Sequence, residues 1–180
     1  TGGVNGYLSS VTMVPKEHLC IIILTNTDQN DFFEALKWDI LDAYFKLPFS
    51  DYSGKYLSFF KAEQDAEKAK DKKLRDTIAM NIPLALPPAA YLGKYTNDLY
   101  GSMTVTQGAN NDLEMRFEHH PRMFAHLQPL GGNRFYVTFS DPVLGKAIFP
   151  FKVENGKVAA VRVKVADFVE YDPYDFVKVP

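Results

Sequence analysis

Ala147-Ile148-Phe149-Pro150-Phe151-Lys152-Val153, then Glu154-Asn155-Gly156-Lys157, then Val158-Ala159-Ala160-Val161-Arg162-Val163-Lys164-Val165 read as two strands joined by a tight turn. Asn-Gly is the dipeptide that best fills a two-residue hairpin turn, because both central residues must take positive φ. Working outward, β-rich stretches recur at residues 91–95, 102–107, 113–117, 124–129, 134–139 and 167–171. Turn residues separate them: Asn97-Asp98, the stretch from Gly108 to Asp112, Gly131-Gly132-Asn133 and Asp141-Pro142. About eight short strands at this spacing predict an antiparallel barrel or sandwich, and closure is favoured because it removes exposed edges. Residues 87–180 are therefore expected to form a β-barrel domain.

Upstream of the barrel the pattern changes twice. Residues 1–49 read as strand, turn, strand and helix. A strand over residues 6–14 stops at Pro15, and Pro15-Lys16-Glu17-His18 supplies a turn in which His18 is expected to be exposed. Leu19-Cys20-Ile21-Ile22-Ile23-Leu24 then runs apolar without alternation, as in a strand covered on both faces. Asn26-Thr27-Asp28 breaks that run. Asp31 and Glu34 have the spacing of a capping box, and Phe33, Leu36, Ile40, Tyr44 and Leu47 recur at helical spacing until Pro48. Residues 50–86 read as a helical connector, charge-mixed from Lys61 to Asp76, with Glu67–Lys70 and Asp71–Arg75 placed to pair across helix turns. Ile82-Pro83 through Leu86-Pro87-Pro88 ends it. The fold class expected is α+β: an antiparallel hairpin with its helix, a connector and a barrel of about eight strands.

Composition narrows the function classes. A net charge of −2 offers no basic field for nucleic acid. The single cysteine, Cys20, excludes an internal disulfide framework and reads as a small buried hydrophobe. The longest apolar run, Leu19 to Leu24, is far short of the ~20 residues of a membrane-spanning helix. The opening residues show no positive n-region and no apolar h-region, so no secretion signal is expected in them.

Two segments resemble known families. Thr1-Gly2-Gly3-Val4-Asn5-Gly6-Tyr7, Met13-Val14-Pro15 and Ile21-Ile22-Ile23-Leu24-Thr25-Asn26, followed by an amphipathic helix, resemble the last strands and helix of class C β-lactamase-like and penicillin-binding-protein-like serine hydrolases. The resemblance covers about the first 48 residues and implies acyl-serine chemistry on an amide, ester or lactam. It implies that Thr1, Gly2 and Gly3 are the remnant of the third active-site motif, with Thr1 lining the substrate-carboxylate side and Gly3 offering an oxyanion N–H. The nucleophilic serine, its lysine and the second-motif tyrosine are expected far upstream, and none of them in this chain. Tyr91-Leu92-Gly93-Lys94-Tyr95, Tyr100-Gly101, the stretch from His119-His120 to Phe124, Phe135, Phe139, the stretch from Gly145 to Phe151 and Gly156-Lys157-Val158 resemble the small domain of unknown function often appended to these hydrolases. That resemblance implies a lipocalin-like barrel and no established reaction. Family habit points to the cell envelope.

The expected chain is thus a C-terminal fragment with no hydrolase activity of its own. Its expected partner is the upstream catalytic part of the same parent, with a homo-oligomer through the hairpin from Gly6 to Leu24 as the other option. The alternative is an independent barrel that binds a small ligand or another protein. Glu118, His119, His120 and His126 supply metal-ligand residue types, and His120 and His126 share parity on an extended segment. Zinc favours three or four rigidly held ligands and Pro121 interrupts the stretch, so the histidines are read as packing at a barrel rim, with no metal and no cofactor assigned. Ser9, Ser10, Ser53, Ser58, Ser102 and Ser140 lack a nucleophile-elbow setting. Glu170, Asp172 and Asp175 among Tyr171, Tyr174 and Phe176 are read as a final strand and its cap.

Overall fold

A computed structural model describes residues 1–4, 6–27, 30–109, 112–167 and 169–180. Asn5 of the quoted N-terminal stretch, Asp28 after the apolar run, Asn110 and Asn111 of the turn from Gly108 to Asp112, and Phe168 of the expected last strand lie outside the described residues. The chain divides into two compact units, Thr1–Lys70 and Asp71–Pro180.

In the first unit, β1 (Gly2–Val4), β2 (Tyr7–Val14) and β3 (Leu19–Thr25) form an antiparallel sheet in that order. Thr1-Gly2-Gly3 therefore does not merely precede a hairpin. Gly2 pairs with Ser9 and Gly3 with Leu8, so the segment contributes the edge strand of a three-stranded sheet. Helix α1 (Phe32–Tyr44) packs on β2 and β3, over Ser10, Ile21 and Ile23, with Ala35 buried against the sheet. The apolar run is covered on one face only: Ile22 and Leu24 are 64% and 76% exposed, and Cys20 is exposed rather than buried. A strand's side chains alternate faces, and the described residues of this unit provide one covering layer. The expected capping box is also absent. Asp31 makes no side-chain cap, and the Asn30 side chain instead accepts from the Phe32 N–H at 3.1 Å while Glu34 pairs with Lys37.

Helix α2 (Tyr52–Ala79) buries none of its 28 residues. Asp51 opens it, its carboxylate accepting from the Gly54 N–H at 3.0 Å. Of the two pairs expected along it, Asp71–Arg75 forms at 2.9 Å; Lys68 pairs with Asp65 instead of Lys70 with Glu67.

In the second unit eight strands form a closed barrel: β4 (Gly93–Asn97), β5 (Gly101–Gln107), β6 (Leu113–Phe117), β7 (His120–Gly131), β8 (Arg134–Phe139), β9 (Lys146–Glu154), β10 (Lys157–Val163) and β11 (Tyr174–Lys178). Each pairs antiparallel with the next, and β11 closes on β4 through Val177–Thr96 and Lys178–Tyr95. The turn that predicted the fold is as expected: Lys157 faces Glu154, and Asn155 and Gly156 have φ of 50° and 75°. Alternation fills the interior. Leu113 and Met115 point in while Glu114 and Arg116 point out, and Phe135, Val137 and Phe139 do the same from β8.

Three local expectations are overturned. Tyr91 belongs to a short helical turn (Pro88–Tyr91) and the strand begins at Gly93. Strand β7 runs through Pro121 rather than breaking there. The register jumps from Phe117–His120 to Arg116–Phe124, and a proline is tolerated in such a bulge because no ladder hydrogen bond is required of it. The last strand is residues 174–178, not 167–171; Asp172-Pro173 precedes it, and Phe176 is its inward-facing side chain.

Candidate functional site

The two ends of the barrel differ, and the difference comes from the segments that cross them. At one end the chain before β4 forms a plug. Leu84 bridges to Gly132, the Ala85 N–H donates to the Gly132 carbonyl at 2.7 Å, and the Gly132 N–H donates back to Pro83 at 3.0 Å. Gly131, at φ 91°, leaves room for Ile82; a Cβ there would collide with it. Tyr91 then enters the core, its ring 5.2 Å from those of Phe135 and Phe151, and its hydroxyl donates to Asn133 Oδ1 at 2.7 Å. Tyr95 donates to the Tyr91 carbonyl at 2.6 Å. Burial raises the hydroxyl pKa of both tyrosines, so they remain donors.

The other end is open. The β4–β5, β6–β7, β8–β9 and β10–β11 connections surround a cavity of about 300 Å³. Its floor and walls are apolar, with Phe117, Phe139, Leu144, Val163 and Phe176 prominent. Its polar groups gather at two places. One is the β10–β11 side, where Glu170 Oε2 accepts from the hydroxyls of Tyr100 at 3.2 Å and Tyr174 at 3.3 Å, and Glu170 Oε1 accepts from the Asp172 N–H at 3.2 Å. The two tyrosine rings meet edge to face at 4.8 Å. The other is the β6–β7 turn with His119 and His120, braced where the Glu118 carboxylate accepts from the Ser102 hydroxyl and, at 3.0 Å, from its N–H. Around an eight-strand ring these two junctions lie four strands apart in either direction, on opposite sides of the mouth.

The electrostatics of the mouth move Glu170 and Tyr174 in opposite directions. The Asp172 N–H, followed by the two tyrosine hydroxyls, keeps Glu170 below its ordinary range. Hydrogen bonding with Tyr100, followed by loss of solvent and the charge of Glu170, pushes Tyr174 up to about 12. A general acid or base works best with a pKa near the operating pH, and these two groups are driven away from neutrality in opposite directions. The cluster is thus a carboxylate held by two tyrosine hydroxyls and one backbone N–H.

The residues singled out from sequence are dispersed. Gly2 and Gly3 lie on the edge strand β1, with the Gly2 carbonyl accepting from Ser9 Oγ at 3.2 Å, and Thr1 is exposed. His120 lines the mouth, whereas His126 sits six residues along β7 and pairs with Asp112 at 3.0 Å. Among the described residues no group of three or more His, Cys, Asp or Glu side chains could hold a metal ion. Two motif spacings do occur in this chain, contrary to expectation. Ser58-Phe59-Phe60-Lys61 has Ser-x-x-Lys spacing and Tyr95-Thr96-Asn97 has Tyr-x-Asn spacing. Neither is set for catalysis. Ser58 lies exposed on α2 and donates to the Lys55 carbonyl at 3.0 Å, and Tyr95 is fully buried in the barrel. Sequence reasoning missed the mouth cluster, although Glu170, Asp172 and Tyr174 stood out as an acidic-aromatic group.

Fold and site together define an up-and-down eight-stranded barrel with one plugged end and one open, apolar mouth. Residues 79–178, more than half of the chain, match the family model described as Domain of unknown function (DUF3471), and the chain belongs to that family. No curated protein and no solved structure matches it. Among the described residues no helix is long and apolar enough to cross a membrane.

Proposed function

We propose that this chain is the C-terminal part of a β-lactamase-like serine hydrolase, catalytically idle by itself, with the barrel appended as a binding module. One observation carries the reading. The sheet face opposite α1 presents Val11, Met13, Ile22 and Leu24, all more than half exposed, in adjacent registered positions. A contiguous apolar face of this kind is the mark of a surface that another part of a protein covers. In the hydrolase reading its cover is the upstream catalytic part, and β1 is the strand edge along which substrate lies, with Gly3 offering an oxyanion N–H.

The test is a pair of activity assays on a chromogenic lactam and a chromogenic ester. The polypeptide extended upstream in frame turns substrate over and loses that activity when the serine of its upstream Ser-x-x-Lys is changed to alanine; the 180-residue chain turns over nothing. An upstream frame without Ser-x-x-Lys and Tyr-x-Asn refutes the proposal. So does turnover by this chain that Ser58→Ala abolishes.

A second reading is favoured by a separate observation, the open mouth. Taken alone, the barrel is a small-molecule binding module, because a mostly apolar cavity with a few convergent polar groups is the usual form of such a site.

A further inference from the structure

On its β10–β11 side the barrel mouth carries two carboxylates, across from the histidines of the β6–β7 turn. Glu170 and Asp172 both line the mouth, and among the described residues neither forms an ion pair with an ammonium or guanidinium group. The nearby Lys164 is held by the loop backbone and by Asp167 and pairs with neither carboxylate: its Nζ lies 2.8 Å from Asp167 and donates to the carbonyls of Glu170 and Tyr171. Tyr100 and Tyr174 spend their hydroxyl protons on Glu170, which leaves their hydroxyl lone pairs, and the ring face not used in their edge-to-face contact, for a ligand. An anion would meet two carboxylates here. A cation meets two carboxylates and two aromatic rings. A small polar cation alone would leave the apolar walls in water. At the ~30 Å³ that a water molecule occupies in the liquid, the cavity has room for about ten non-hydrogen atoms.

We infer that the barrel mouth binds a cationic amphiphile of about that size, its ammonium head against Glu170 and Asp172 beside the Tyr100–Tyr174 pair and its alkyl or aryl body against Phe117, Phe139 and Leu144. This inference rests on the reading of the barrel as a small-molecule module and gives that site its ligand class. Shape and chemistry divide the work: the apolar body supplies affinity through burial, and the carboxylates select the head.

The experiment titrates the full chain at neutral pH with octylamine, octan-1-ol and octanoate, by calorimetry and by NMR of the Met123 and Leu144 methyl groups. Octylamine is expected to bind at least tenfold tighter than octanoate, with octanol between them, and all binding is expected to shift both methyl signals. In the Glu170→Gln/Asp172→Asn variant the octylamine preference collapses to within about threefold while octanol binds as before, which also shows that the barrel is folded. Octanoate binding as tightly as octylamine, or a preference that survives the double substitution, overturns the ligand class and leaves the cavity reading standing. Silence of all three probes at Met123 and Leu144 overturns both.

Discussion

The two β-structures of this chain solve the same problem differently. Both are antiparallel, with short strands and tight turns. The barrel, residues 93–178, closes β11 on β4 and turns its alternate side chains into one interior, so that Tyr95, Leu113, Met115, Leu127, Phe135, Val137 and Phe149 are fully buried. The sheet of β1–β3 has two edges and one covered face, and even its best-buried isoleucines, Ile21 and Ile23, remain 7% exposed. A closed sheet satisfies its own backbone and covers its own apolar face, whereas an open one leaves both to something else. The barrel therefore carries its own stability, and the sheet depends on α1 and on whatever meets its bare face.

That contrast is most exposed to failure in the barrel core. Phe135 packs edge to face on Tyr91 and Phe151 at 5.2 Å, within the plugged end. Phe135→Ala removes a large, fully enclosed side chain and is expected to cost about 3–5 kcal/mol. Amide exchange should show the loss spread over β4–β11, with the exchange of β2 and β3 unchanged. A loss confined to β7–β9, or one that unfolds β2 and β3 in parallel, would mean that the barrel is not a unit of its own.

Much of the barrel was legible because its signals are local. Asn155-Gly156 names its turn type through positive φ, and Leu113-Glu114-Met115-Arg116 alternates in sequence as it does in space. What was illegible depends on layers and on closure. Leu19 to Leu24 reads as doubly covered because its outward residues, Cys20, Ile22 and Leu24, are as apolar as its inward ones; sequence records that a face is apolar, not what lies on it. The sequence pattern puts the last strand too early because Val169 and Tyr171 look like strand residues, yet both are exposed in the loop over the mouth, and β11 announces itself with Phe176 as its one buried residue. The mouth cluster joins Tyr100 to Glu170 across 70 positions, a contact that exists only because β11 returns to β4.

A smaller effect tests how the end of α2 is fastened to the barrel wall. Tyr136 points outward from β8 yet is 2% exposed, and its hydroxyl donates to Asp71, which also pairs with Arg75 and, at 3.1 Å, with Lys146. The Tyr136 hydroxyl, then Arg75 and Lys146, hold the Asp71 carboxyl far below the usual carboxylate range. A pKa lowered on folding means stability that is complete above the unfolded value of ~3.9 and is lost as pH falls toward the folded one. Asp71→Asn should therefore cost about 2 kcal/mol at pH 7, a hydrogen-bonded charge discounted for its partial exposure. The gap between parent and variant in urea melts should hold from pH 7 to 5, begin to narrow near the unfolded value of ~3.9 and go on narrowing as the pH falls further. A gap that does not change with pH would show that the contact acts by shape alone.

The smallest expected effect bears on the open sheet. If nothing else covers Val11, Met13, Ile22 and Leu24, a second copy of the chain is the available cover, through face or edge. Ile22 and Leu24 project to the same side of β3, so Ile22→Lys/Leu24→Lys places two charges on that face without touching Ile21 or Ile23. Sedimentation equilibrium of the full chain should show weak self-association, and the double substitution should weaken it about tenfold, or 1.4 kcal/mol, while thermal unfolding of the barrel stays put. Self-association that is indifferent to those lysines would move the contact to the β1 edge. A parent chain that stays monomeric at every concentration, with residues 1–25 exchanging their amide protons freely, would remove the sheet from the folded structure and with it the support for an upstream partner.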